Sequence, residues 1–542
     1  MSIEALITEN SDLLASIIQD QTSLQAIKQE LYTAIRAKGQ ILSLNPFSSY
    51  ANAISGIVNT IEPTVANRSF SIGTEPIGGT VWYVKPDGTG ERTGTSWDNA
   101  VATRQEAISL ANTGDRIYVW EGTYLLNSIQ TYKAGVSEYY GFNGSGSWET
   151  RHPFLHPSKH DFQFSSNNFN NTSVTFLDDQ TIDGLWVQNV LSVSGLYLSA
   201  RTHLDNCVIY NCNIITSVIG GGIYIGASGS MHNCIVSNSG SMSHGGGVYA
   251  TAYVSISDCI FINCYSTSGS GGGLYATVGT IVTNSVFNNC TAAAGGGIYA
   301  TVNSMIDKGL FVNCKAGNNG GGAYVITGVG VSNCILFNCT GGVGGGLSVA
   351  TNCYAYNCVV SNCTATGGSG SGGGGIHTNN AAYICNCTVT NCNAATAGDN
   401  YLLNGGLFYN NISWGGNIYL ALANYSYKIY NCASNFALTG ITNWHTNADI
   451  QNFITLTEFP FIKNGIFPFD TTGSYSQSLP RSIEAISFVD QLILPNKPDE
   501  HLPGTSPLIG AGYYEAGVTP DLDADGTVRP LPPSIGAYEY VA

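Results

Sequence analysis

The chain has 542 residues, of which 10% are charged and 43% apolar, with 66 glycines, 16 cysteines and a formal net charge of −16. A chain this long exceeds one ordinary domain unless it is a solenoid or a barrel, and its apolar and aromatic content rules out disorder. The negative charge argues against nucleic acid as a partner, and the lack of an apolar run of about 18 residues argues against membrane insertion.

The opening residues, MSIEALITENSDLL, are acidic and lack a basic stretch, so no secretory leader is expected. Leu6, Leu13, Ile17, Leu24, Ile27, Leu31 and Ala34 follow three- and four-residue steps, with Asn10 and Asp20 in the same seam. This heptad-like stripe predicts a helix that pairs with other helices. Gly39 ends it, and Pro46 opens a second helix over 47–61. Residues 1–62 are therefore expected to form a helical attachment or oligomerisation module. The alternative is an ordinary helical cap on an open sheet end. Residues 63–80 read as a linker.

Residues 81–205 are expected to hold the entry and first coils of the fold described next. A short helix is predicted near Arg104–Asn112. Asp178, Asp179 and Asp183 lie close in sequence and read first as turn or capping residues, with a role as candidate catalytic carboxylates as the alternative.

Residues 206–400 are a repeat. Gly-Gly-Gly begins at Gly220, Gly245, Gly271, Gly295, Gly320, Gly344 and Gly373. The next asparagine column, Asn238, Asn263, Asn289, Asn313, Asn338, Asn362 and Asn391, stands 18 residues after each, and Asn211 precedes them as its first member. A second polar column lies five residues earlier and includes Asn206, Asn233, Asp258, Asn284 and Lys308. All length variation falls between the first asparagine column and the next triplet, so insertions are confined to one corner. Alternating segments such as TIVTNSVF predict short strands, about three per unit. Units of about 25 residues built this way predict a mainly β, parallel β-helix solenoid. Asparagine tolerates left-handed corners and bonds to its copy in the next coil, so the column reads as a structural ladder.

Cysteine follows most members of both columns. The spacing tracks the repeat, so these residues read as small buried hydrophobes rather than metal ligands or disulfides. Thiols in such number suggest assembly in a cytoplasm. Tyr224, Tyr249, Tyr275, Tyr299, Tyr324, Ser348 and His377 stand four residues after the first glycine of each triplet, beside aliphatic neighbours. Strand alternation places them on the outer face. The tyrosines and His377 are candidates for glycan binding or a subunit interface, with stacking on a solvated face as the alternative. Between Asn206 and Gly398 the charged residues are Asp258, Asp307, Lys308 and Lys315 alone, so no carboxylate pair is expected within the regular array.

Residues 401–542 are expected to form irregular last coils and a closing segment. Asp521, Asp523, Asp525 and Gly526 make the start of a calcium loop, but Pro532 stands where its twelfth-position acid belongs. A turn fixed by Arg529 is the alternative, and no other cofactor is indicated.

Four resemblances accompany these readings, one of them that of the C-terminal SPLIGAG…PDLDADGTVRPLPPSIGAYEY to the closing coil of bacterial surface β-helix proteins. Residues 81–124, with Asp87-Gly88-Thr89-Gly90, Ser96-Trp97 and Glu121-Gly122-Thr123-Tyr124, resemble the opening turn of right-handed, pectin-lyase-like β-helices. The GGG-x-Y and F-x-N-C repeats are similar to those of polymorphic outer-membrane proteins, and AIRAKGQILSLNPFSSYANAISGI looks like N-terminal segments of phage tail and fibre proteins. They imply a structural appendage of a virion, a tail spike or fibre used for host-surface recognition. It would attach to other virion proteins through residues 1–62, form a homotrimer, bind a host glycan or receptor and assemble in the host cytoplasm. The alternatives are a polysaccharide-cleaving tailspike and a bacterial surface adhesin; the fold class itself assigns no function.

Overall fold

The computed structural model describes residues 70–456, except 127–132, 163–173, 193–194, 215–218, 368–371, 380–381, 396–397, 421–426, 437–447 and 452. The helical module expected over 1–62 lies outside the described residues, as do most of the irregular closing segment and Asp521, Asp523 and Asp525.

The described chain winds as a parallel β-helix. Each coil lays one strand into each of up to four sheets, which contain 11, 15, 14 and 9 strands and pair in parallel. One coil shows the plan: Leu274–Val278 in sheet 1, Ile281–Thr283 in sheet 2, Val286–Asn288 in sheet 3 and Thr291–Ala292 in sheet 4. The fourth strand was not anticipated. A two-residue strand shows no periodicity, because alternation needs a longer run to be visible.

Single left-handed residues turn the corners. In this coil they are Gly271, Gly279, Asn284 and Asn289, with φ of 72°, 63°, 47° and 53°. The next coil uses Gly295, Asn303, Lys308 and Asn313 in the same way. Asparagine pays little for this conformation, and here its amide also bonds along the stack. Asn263 donates to Asn238 at 2.9 Å, Asn289 to Asn263 at 2.7 Å and Asn338 to Asn313 at 2.6 Å. The earlier column does the same, with Asn233 donating to Asn206 at 2.6 Å and Asn410 to Asn386 at 3.0 Å. The corner between sheets 1 and 2 carries Ser228, Tyr253, Gly279, Asn303, Gly328 and Asn352, all with positive φ. Its residue types vary, so it formed no readable column.

Alternation sends aliphatic side chains inward. Ile223, Val248, Leu274 and Ile298 stack in sheet 1, and Phe261, Phe287 and Phe311 stack in sheet 3, all fully buried. All sixteen cysteines are buried and none forms a disulfide, and fifteen of them, all but Cys385, line the same interior. At the first coils α1 (Arg104–Leu110) is capped by Thr103, whose side chain accepts from the Glu106 amide. Its Ala107 and Ile108 join the interior core with Val84 and Ile117. Beneath it the buried Arg104 pairs with Glu138, which also accepts from the Tyr140 hydroxyl. Residues 70–80, from the stretch expected as a linker, lie against the outer face of sheet 2. There Trp148 donates to the Gly73 carbonyl at 2.7 Å and Tyr118 to Glu75 at 2.7 Å. Among the described residues no helix is long and apolar enough to cross a membrane.

Candidate functional site

Two outer faces carry chemistry. On sheet 1, Tyr197, Tyr224, Tyr249, Tyr275, Tyr299 and Tyr324 pair in register from coil to coil. Their neighbours on each strand fill the core, so the phenols point outward and are partly exposed. Successive ring centroids are 4.5, 5.7, 5.1 and 5.0 Å apart, with interplanar angles of 11° or less up to Tyr299. Tyr324 then turns edge-on, at 81°. Tyr197 belongs to the array although no glycine triplet precedes it, which hid it in the sequence.

This stacking decides what the face can offer. Inner rings have both faces covered by neighbours, so they present edges and hydroxyls rather than platforms for sugar rings. Burial raises the pKa of Tyr224, Tyr249, Tyr275 and Tyr299, Tyr275 to about 12, so the hydroxyls remain donors near neutral pH. His244, from the variable corner, lies over Tyr275 at 4.6 Å.

The outer stripe does not continue through Ser348 and His377. Both are buried, and they meet each other at 3.3 Å, while His377 Nε2 lies 3.0 Å from the Asn404 amide. His377 is therefore removed as a surface candidate. Burial pushes His377 down to about 4 and the interior His160 down to about 3. Both stay neutral in the fold, whereas the unfolded chain takes up these protons below about pH 6.5. Their contribution to stability is thus complete above that pH and is lost as the pH falls toward the folded values. The denaturation midpoint should drop between pH 7 and pH 4.5, and His377→Gln should flatten part of that slope. An equal slope in the variant contradicts the assignment.

The second face is on sheet 2. Asp183, Asp205 and His232 occupy the same register on three successive strands, Thr181–Asp183, His203–Asp205 and Ser230–His232. Ile182, Leu204 and Met231 between them are fully buried, which directs the polar side chains outward. Arg151 comes from the excursion that joins sheet 2 to sheet 3 after Phe142. Its Nη2 meets Asp183 Oδ2 at 2.5 Å, and Nη1 donates to the carbonyls of Tyr140 and Asp183 at 3.0 and 3.2 Å. Asn206 donates to Asp183 Oδ1 at 2.8 Å. Asp205 stands beside this saturated carboxylate, and burial first, then the charge of Asp183, raises its pKa to about 6. His232 meets Asp258 at 3.3 Å and Ser257 at 2.9 Å, and Asp258 raises its pKa. His203 meets Ser230 at 2.7 Å.

Asp178 and Asp179 sit elsewhere, with the exposed Arg201 at 3.3 and 2.6 Å. The turn role expected ahead of catalysis thus fits Asp179, which stands at a corner with φ of 60°, while Asp183 is one member of a different pair. The Asp183–Asp205 pair went unseen because it straddles the start of the regular array. The signal was present: Asp183, Asp205 and His232 each immediately precede a corner residue, Gly184, Asn206 and Asn233.

No protein-family model matches the chain, and no curated protein matches it. Among solved structures it is similar to the pectate lyase Pel9A, at 14% identity over 88% of this chain and 100% of that chain, with a TM-score of 0.38. It is similar to tailspike protein 3 of bacteriophage CBA120, at 12% identity over 75% and 68%, with a TM-score of 0.36. It is also similar to XylC, solved in complex with xylose, at 10% identity over 69% and 86%, with a TM-score of 0.37. At these identities and TM-scores the likenesses concern architecture and carry no argument about activity.

Proposed function

We propose that the protein is the shaft of a virion appendage, a tail spike or fibre, that recognises a polysaccharide on the host surface. The observation that carries this reading is the tyrosine array: one hydroxyl donor per coil, repeated over six coils in register. A periodic row of donors matches a ligand that repeats its own acceptors, and a polysaccharide is such a ligand. Residues 1–62 are assigned to attachment to other virion proteins and to trimer formation. Sixteen buried cysteines, none in a disulfide, suit assembly in a reducing host cytoplasm before release.

Removing the hydroxyls while keeping the rings tests the recognition step. Tyr249→Phe with Tyr275→Phe should leave the melting midpoint unchanged and weaken binding to a bacterial surface polysaccharide roughly tenfold or more, at about 1 kcal/mol per lost hydrogen bond. Undiminished binding by the double variant contradicts this face as the recognition surface. Antibody-labelled electron microscopy of purified particles tests the location, which a chain absent from particles would contradict.

A further inference from the structure

We propose that Asp183 and Asp205 are the two carboxyl groups of a glycoside-hydrolysing site on the outer face of sheet 2, with Asp205 as acid–base and Asp183 as nucleophile. This rests on the polysaccharide reading above and adds a reaction to it. The geometry comes from register. Asp183 and Asp205 are direct partners on adjacent parallel strands, so their Cα atoms lie about 4.8 Å apart. Carboxyl groups about 5 Å apart attack the sugar directly and retain configuration, whereas inversion needs a wider gap that admits water.

The two groups have unlike surroundings, as the division of roles requires. Asp183 is anchored as an anion by Arg151 and Asn206. Asp205 is crowded by that anion and partly buried, with His203, His232 and Arg151 as its other charged or titratable neighbours, and these together leave its pKa at about 6. A second observation points to a ligand. Arg151 is fully buried, yet its Nε–H has no partner. In a planar guanidinium this N–H shares an edge with one terminal nitrogen, here the Nη2 that meets Asp183. A donor is thus left over beside the carboxylate.

In the first step Asp205 gives its proton to the glycosidic oxygen as the C1–O bond breaks, and an Asp183 oxygen bonds to C1. In the second, Asp205 takes a proton from water, the water oxygen bonds to C1, and the C1–Asp183 bond breaks. Both carboxyl groups return to their starting states, and one water is consumed for each bond cleaved. His232, one coil beyond Asp205, and His203, two residues before it on the same strand, can bond the hydroxyls of adjoining sugar units.

The test uses the full chain and a panel of purified bacterial capsular and lipopolysaccharide O-chain polysaccharides. Binding, reducing ends and the anomeric configuration of the first product by NMR are measured together. The wild type should bind and cleave with retention, losing activity as the pH rises through about 6. Asp205→Asn should bind equally well, cleave at least about 100-fold more slowly, and lose that pH limb. Asp183→Asn should also be inactive; because it leaves Arg151 unpaired, Asp205→Asn carries the decision if it fails to fold. Binding without cleavage by the wild type, cleavage with inversion, or an active Asp205→Asn overturns the acid pair and leaves the binding reading intact. Binding to no member of the panel overturns the reading of function itself.

Discussion

Gly296→Ala will lower the stability of the protein by about 3 kcal/mol, because the added methyl has no space between coils. A Cβ at this position would lie 2.4 Å from the Gly321 carbonyl oxygen and 2.5 Å from that of Lys315. Both are backbone atoms, Gly321 opening the next coil and Lys315 in the last strand of Gly296's own, so neither can rotate away as a side chain could. Gly295 has a different reason to be glycine, since it turns the corner with φ of 61°; a Cβ on Gly297 would meet the Gly322 carbonyl oxygen at 2.6 Å and the Phe311 ring at 2.7 Å. The control is Gly317→Ala in the variable corner, where the nearest neighbour of a Cβ, the Ala293 carbonyl oxygen, is 3.8 Å away. It should be neutral or slightly stabilising, since alanine restricts the unfolded chain. Denaturant unfolding followed by circular dichroism checks both; equal midpoints for the two variants contradict the argument.

Phe287→Ala should cost about 3–5 kcal/mol. Phe287 is fully buried and stacks on Phe261 at 4.5 Å and on Phe311 at 5.0 Å, with planes within 9° of parallel. Its loss opens a cavity between two rings whose strands are held in register above and below, so the coils cannot close over it. Phe287→Leu should recover a large part of the loss. A midpoint for Phe287→Ala within experimental error of the wild type contradicts the interior stack.

The repeat was legible because stacking makes chemistry recur. The second and third glycines of each triplet meet the backbone of the next coil, and the column asparagines turn left-handed corners, several of them bonding to a copy in the next coil. The constraint is the same every coil, and so is the residue. Features set once were harder to see. The corner at Tyr253, Gly279 and Asn303 accepts any residue able to reach positive φ, so its composition carried no column. His377 occupied a tyrosine position by count, yet its coil is covered where earlier coils are open. The Asp183–Asp205 pair depends on a register that spans the irregular first coils, and on Arg151 brought in by an excursion of the chain. Spacing alone cannot supply either. Low charge follows from the same architecture, because like charges in successive coils would repel at about 4.8 Å. The fold tolerates such a pair where Arg151 neutralises one member.

The most direct test of the account is the dependence of affinity on ligand length. Oligosaccharides of increasing length, prepared from a polysaccharide that the protein binds, should be titrated calorimetrically against the Asp205→Asn variant, so that none is cleaved. A face that repeats once per coil predicts affinity rising with each added unit and levelling off when the ligand spans the six-tyrosine array. Affinity that is already maximal for a single unit, and unchanged by lengthening, would contradict it.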